Sequence, residues 1–372
     1  MYNYCIIIYS SVSIACTETK QPKAIQVAGA VSEDGNFMRS NVFENKYEPI
    51  ERIKIGVSSC LLGNPVRFDG GHKKQKYLTD ILSKHFDFQT TCPEVSINLG
   101  TPRPSIRLVE MERDNEKVVH LVNGKDYSLN YTEDMRIFSK DYCKKYIDGL
   151  CGYILKNNSP SCGMKRVKIY NETTGHPRAN PGSGIFAEEL MRQHPNLPVE
   201  EEGRLNDEAL RDNFLMRVYI YHEWKKVLKG GITASKLIQF HSRQKYLLMT
   251  HNQHKAQILG QLVARAGLEE INQLAENYFS QLMQILRVPS TRQRHTNTLM
   301  HLLGYLRESL DEIDREEVLN KIMSYHYGKV PLIAPITLLK HHFNRYPDPY
   351  IDIQTYLAPY PVELNPQSQL LV

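Results

Sequence analysis

Between residues 54 and 160, short apolar runs alternate with amphipathic stretches and stop at glycine, asparagine or proline. Residues 54–62 (Lys-Ile-Gly-Val-Ser-Ser-Cys-Leu-Leu) close on Gly63-Asn64-Pro65, the pattern of a buried strand feeding a turn. Tyr77, Leu78, Ile81, Leu82 and Phe86 then fall at helical spacing, which predicts a helix over 73–86. Residues 88–92 read as a second strand stopped by Pro93, 117–122 as a third before Asn123-Gly124, and 151–155 as a fourth. An amphipathic helix is predicted over 132–149, with Met135, Phe138, Tyr142, Cys143 and Tyr146 on one face. Such alternation predicts an α/β fold on an open, largely parallel sheet.

The pattern changes near residue 205. Residues 195–203 (Pro-Asn-Leu-Pro-Val-Glu-Glu-Glu-Gly) are rich in proline and acid and read as a connector. Beyond them Leu210, Phe214, Val218, Tyr221, Trp224 and Leu228 recur at three and four until Gly230-Gly231. Helical stretches follow at 233–266, 269–286, 292–309, 312–327 and 332–345, punctuated by Pro289, Pro331 and Pro335. The expected organisation is an α/β domain over 51–204 and an all-α domain of five or six helices over 205–365. A chain of 372 residues can bury a core in each. Residues 1–50 read as a disordered leader, or as an over-extended start with Met38 as the alternative. The apolar stretch before Cys16 lacks the basic start of an export signal. No apolar run approaches the roughly 18–20 residues of a bilayer helix, so no membrane span is expected.

The formal net charge of +5 is unevenly distributed. Residues 205–345 hold 19 Lys and Arg against 13 Asp and Glu, and 9 of the 14 His. A basic helical half is a candidate for a polyanionic partner, although a solvated helical surface produces the same excess. His241, Arg243, Lys245, His251, His254 and Lys255 share one helical stretch, and Arg292, Arg294 and His295 another. All are read as solvated faces or nucleic-acid contacts. His251 and His254, at i and i+3, have no carboxylate or thiol nearby in sequence to complete a metal site. Tyr246, Leu247 and Met249 are read as core.

Seven cysteines, an odd number at irregular spacing in a chain of this size, argue against a disulfide framework and for reduced thiols in the cytoplasm. Three of them lie at or just beyond the ends of predicted strands: Cys60 in Val57-Ser-Ser-Cys-Leu-Leu-Gly, Cys92 in Cys-Pro-Glu94, and Cys162 in Ser159-Pro-Ser-Cys-Gly163. In open α/β sheets the ligand crevice lies outside those carboxyl ends, so distant cysteines can converge there. Cys143 on an apolar helix face and Cys151 in a strand are read as buried thiols. Structural zinc commonly uses paired CxxC units, absent here, and an iron–sulfur cluster usually takes four thiolates. Three leave one iron open to substrate. From spacing alone, burial of unrelated thiols remains the competing reading.

These motifs, together with Val66-Arg-Phe-Asp-Gly70 and Thr101-Pro-Arg-Pro104, resemble in order those of the thiouracil desulfidase family over residues 52 to about 204. Residues 240–251 (Phe-His-Ser-Arg-Gln-Lys-Tyr-Leu-Leu-Met-Thr-His), 325–340 and 354–361 look like the helical domain fused to that family in tRNA 4-thiouridine desulfidases.

The resemblance implies a 4Fe-4S cluster on Cys60, Cys92 and Cys162, its fourth iron free for the sulfur of a thiocarbonyl base, and a tRNA substrate. Non-redox hydrolysis of the C–S bond then requires a group to activate water and a group to protonate the product. Glu94 is the candidate base, with a turn carboxylate as the competing reading. Ser159 and Ser161 flank the third ligand and either serve the site or cap a turn. Ser59, Arg67, Asp69 and Arg103 are candidates for holding the base or a phosphate, although Asp69 also suits an ordinary turn and Arg103 a carboxylate pair. Two other readings remain open: a desulfidase of free thiouracil or thionucleosides, and a non-catalytic iron–sulfur regulator that binds nucleic acid.

Overall fold

The computed structural model describes residues 52–113 and 116–364, so the expected leader lies outside the described residues. The first half runs β1 (Ile53–Ser58), β2 (Phe86–Thr91), the one-turn α1 (Pro93–Ser96), β3 (Ile106–Arg113) and β4 (Glu116–Asn123). It continues through α2 (Thr132–Tyr146), β5 (Tyr153–Leu155), β6 (Ile169–Asn171), α3 (Ile185–Gln193) and β7 (Val199–Glu201). The helical half is α4 (Glu208–Leu228), α5 (Ala234–Val263), α6 (Ile271–Leu286), α7 (Arg292–Tyr305), α8 (Glu312–His326), α9 (Ile333–Arg345) and the one-turn α10 (Pro349–Asp352). The fold class is therefore as the sequence predicts, a parallel-sheet α/β half followed by a helical half.

The main sheet has the order β2-β1-β5-β7 and is parallel throughout. Its central strand β1 buries side chains on both faces, which suits its apolar run. On one face α2 and α3 pack through Met135, Tyr142, Cys143 and Phe186 around Tyr153 and Leu155. On the other, α4 brings Phe214, Val218 and Tyr219 onto Ile53, Ile55 and Val57, and the Tyr219 ring meets Phe86 edge-on at 5.9 Å. That core runs on without interruption through Trp224, Tyr278 and Leu339 of the helical half. The first helix of that half thus forms the second covering layer of the sheet.

Several helices start on the residue types that sequence rules favour. Asp207, Thr233, Thr291 and Asp311 accept backbone N–H bonds at the starts of α4, α5, α7 and α8. α5 is broken at Asn252, whose φ of −164° and ψ of 103° are non-helical.

The structure corrects four local expectations. Residues 73–86 do not form a regular helix; a π turn (Tyr77–Ile81) and a 3-10 turn (Leu82–Lys84) stand there. Lys73 N and Gln75 N donate to Cys60 O and Leu61 O, both at 2.9 Å, which ties the start of the segment to the turn after β1. The strand at 117–122 is absent from the main sheet: β4 pairs antiparallel with β3 in a second sheet of order β4-β3-β6. Cys151 sits just before β5 rather than in it. Finally, the acidic connector contains β7, an edge strand with Glu200, Glu201 and Glu202 buried. Each carboxylate is satisfied there: Arg204 Nε donates to Glu200 at 2.6 Å, Met164 N to Glu201 at 2.8 Å and Asn157 N to Glu202 at 2.7 Å.

Candidate functional site

Three adjacent parallel strands, β2, β1 and β5, deliver their carboxyl ends to one side of the sheet. β1 runs into the 3-10 turn Ser59–Leu62, which carries Cys60 and ends at Gly63 with φ 97°, a left-handed value that glycine adopts without penalty. β2 ends at Thr91, and Cys92 is the N-cap residue of α1, with Glu94 in its first turn. β5 ends at Leu155, and the loop beyond it holds Ser159, Ser161 and Cys162. All three cysteines line a single cavity of about 370 Å³.

Burial pushes the Cys60 thiol up to about 11 and raises those of Cys92 and Cys162. Cys92 also raises both neighbours, so the thiols lie within electrostatic reach of one another, while Lys156 and Arg67 pull Cys60 down. Bare thiolates are therefore disfavoured here without a bound cation. Among the described residues no three His, Cys, Asp or Glu side chains close on one metal ion. A mononuclear zinc needs its donors within about 2.3 Å of one point. Three cysteines lining one cavity supply the soft thiolate donors that an iron–sulfur group takes.

Glu94 sits between the second and third cysteines in a fixed network. Its Oε2 pairs with Arg103 Nη2 at 2.6 Å, and Arg103 Nε donates to the same oxygen at 3.1 Å. Its Oε1 accepts from Ser161 Oγ at 2.7 Å, and Ser159 Oγ lies 2.9 Å from Ser161 Oγ. Cys162 N in turn donates to Ser159 Oγ at 3.1 Å. The Arg103 side chain is only 4% exposed and also donates to Gly100 O and Val66 O, so the carboxylate is held by a clamp that is itself fixed.

The remaining expected site residues divide. Ser59 and Arg67 line the cavity, and Ser59 Oγ accepts from Asn64 Nδ2 at 2.7 Å. Arg103 lines it too, but its guanidinium is spent on Glu94 and backbone carbonyls. Asp69 is exposed and takes the ordinary turn role, accepting from Gly71 N at 3.0 Å. Cys143 and Cys151 are buried away from the cavity. Lys156, Asn157, Phe68 and Lys73 line the cavity without having been singled out from the sequence. For Lys156 a signal existed, since it directly follows the fourth predicted strand. Its ammonium is bound by Glu202 and by the Asn157 side chain.

In the helical half several expected surface groups are structural. His251 is buried, with Nδ1 2.7 Å from Val288 O; His241 bonds Tyr278 Oη at 3.3 Å; and His295 stacks on Tyr356. Arg294 donates to His251 O. Lys245, His254, Lys255, Arg292 and Arg294 remain exposed. Tyr246 and Leu247 are core as expected, with Met249 partly buried against it.

Comparison with known proteins matches both halves. Residues 55–202 fit the family model described as 2-thiouracil desulfurase, and residues 245–361 fit the one described as a protein of unknown function, DUF1722. The uncharacterized protein YbgA of Escherichia coli (strain K12) is 31% identical over 162 residues, 43% of this chain and 96% of that protein. This chain belongs to the YbgA family. Within the YbgA-family chain, the α/β half is a thiouracil desulfurase-like domain and the helical half a DUF1722 domain. Among solved structures, the 4Fe-4S-dependent thiouracil desulfidase TudS is 32% identical, covering 43% of this chain and 97% of that one with a TM-score of 0.32. Among the described residues no helix is long and apolar enough to cross a membrane.

Proposed function

We propose that the chain is a non-redox desulfidase that hydrolyses the thiocarbonyl of 4-thiouridine in tRNA to the carbonyl of uridine, releasing hydrosulfide. The observation that carries this reading is the convergence of Cys60, Cys92 and Cys162 on one cavity beside the clamped carboxylate of Glu94. The match of residues 55–202 to a desulfurase family supports the reaction class.

A 4Fe-4S cluster on the three thiolates would supply an iron without a protein ligand, a Lewis acid for a soft sulfur. The chain's own groups do the rest. Glu94 takes a proton from the water that adds at the thiocarbonyl carbon. Arg103 holds that carboxylate in place through two charge-assisted hydrogen bonds to one oxygen. Ser161 bridges Glu94 to Ser159 and can pass the proton along that hydroxyl pair toward the leaving sulfur. The basic excess over 205–345 supports a polyanionic substrate. Reaching a thiocarbonyl in folded RNA requires the base to leave its stack and enter the cavity.

A second reading, turnover of free thiouracil, is favoured by the description of the matched family. Anaerobic reconstitution of the full chain, followed by incubation with thiouracil or with 4-thiouridine-containing tRNA, separates the two. Sulfide release and loss of thiocarbonyl absorbance should be faster with the tRNA. Turnover of the free base alone would remove the tRNA assignment. No sulfide from either substrate at full iron content would remove the desulfidase reading and leave the regulator.

A further inference from the structure

Arg217 of α4 is only 7% exposed and stands at the seam between the two halves, far from any surface role. Within its electrostatic reach are Glu200 of β7, Arg204 in the turn after that strand, and Arg287 at the end of α6. The seam is fastened on both sides. One turn earlier in α4, Asn213 Nδ2 donates to Leu286 O at 2.8 Å, and Arg287 donates to Pro195 O.

An arginine sealed in this way normally has a carboxylate or carbonyl partner. Arg217 Nε is buried with no hydrogen-bond partner, and its guanidinium forms no ion pair among the described residues. Glu200 attracts it through space, but that carboxylate already accepts from Arg204 Nε at 2.6 Å and from Glu201 N at 3.0 Å. Burial pulls the Arg217 guanidinium down to about 10, so it remains charged at neutral pH. Three guanidinium groups therefore share one carboxylate, and the most buried of the three has its donors unused.

We propose that a free oxyanion of the phosphate class binds in this seam, accepting hydrogen bonds from Arg217 and lying between Arg204 and Arg287. A doubly charged anion balances three cations against one carboxylate, and its several oxygens suit the planar fork of arginine. A phosphate inside a nucleic-acid strand carries a sugar on either side, which a side chain this buried does not admit. Bound there, the anion ties β7 to α4 and α6 and so fastens the sheet edge to the helical half. The site is independent of the desulfidase reading.

The test follows thermal melts of the full chain, titrated with sodium phosphate or sodium sulfate against sodium chloride at matched ionic strength. Tm should rise and saturate, as it does for a ligand of the native state. Exclusion of these salts from the protein surface would instead give an unsaturable rise shared by every variant. The anion with the smaller apparent Kd is the occupant. Arg217→Met fills similar space without charge. Its Tm in chloride should equal or exceed that of the unaltered chain, and its saturating rise should vanish. Arg287→Gln, at an exposed position, should weaken the apparent affinity by about tenfold, and Lys255→Ala on α5 should leave it unchanged. A Tm that responds to neither anion beyond chloride, or a saturating rise that survives in Arg217→Met, would overturn the site. Calorimetric binding of a short RNA should be the same in Arg217→Met and the unaltered chain; a tenfold loss there would overturn the free anion in favour of a strand phosphate.

Discussion

Ser161 Oγ donates a 2.7 Å hydrogen bond to Glu94 Oε1 across 67 residues of sequence. The bond joins the loop of the third cysteine to the helix that follows the second. Arg103 closes the other side of the carboxylate at 2.6 Å, so Glu94 has a fixed orientation and a counter-charge, as a group that handles protons requires.

Glu94→Gln keeps the shape and an acceptor for Ser161 but removes the charge. Sulfide release should fall by about 100-fold or more while iron content stays at the unaltered level. Stability should also fall, by about 3 kcal/mol in urea titrations, because the Arg103 guanidinium is left buried without its partner. An unaltered rate would remove Glu94 from the reaction.

Gly184 tests the third cysteine without touching it. A Cβ at this position would lie 2.5 Å from Ser161 C and O and 2.9 Å from Cys162 N, backbone atoms that can yield only by moving the loop. Gly184→Ala should therefore lower iron uptake on reconstitution and slow desulfuration, while Gly149→Ala, with nothing within 4 Å, should not. Equal iron content in the two variants would show that the loop position does not matter.

How much of this could be read in advance differs by element. The three cysteines were legible because each lies at or just beyond the end of a predicted strand, and parallel strands put such ends side by side. β3 was not, since Ile-Arg-Leu-Val-Glu-Met-Glu-Arg mixes charge into a half-exposed strand and its partner is the turn-linked β4. β7 was misread because carboxylates normally mark solvent, and the groups that satisfy Glu200, Glu201 and Glu202 come from other parts of the fold. The basic groups of α5 and α7 were legible as charge but not as exposure. Which of them turn inward depends on helix packing, as with His251 against Val288.

Those inward histidines carry a pH dependence. Burial pulls His241, His251 and His295 from the ordinary 6.5 down to about 4. As pH falls below 6.5 the unfolded chain takes up the protons first, so stability is full above 6.5 and is lost toward 4. Each histidine costs on the order of 1.4 kcal/mol per pH unit in that window. Thermal melts between about pH 7 and pH 5 should show Tm falling, with a shallower slope in His251→Gln. A Tm that holds across the window would contradict the buried, neutral assignment.

The shared core predicts that the halves do not separate cleanly. Cutting the chain after residue 204 removes Phe214, Val218 and Tyr219 from the sheet and exposes Ile53, Ile55 and Val57. The fragment should bind a hydrophobic dye and lose its cooperative melt. A soluble fragment with a sharp transition would show that α4 is dispensable to the sheet.

The most direct measurement of the site is iron and acid-labile sulfide per chain after anaerobic reconstitution of single cysteine variants. The unaltered chain should bind about four irons. Cys60→Ala, Cys92→Ala and Cys162→Ala should each bind close to none, while Cys143→Ala and Cys151→Ala retain the full complement. Full iron in any of the first three, or loss of iron only in the last two, would contradict the assignment of Cys60, Cys92 and Cys162 as the ligands.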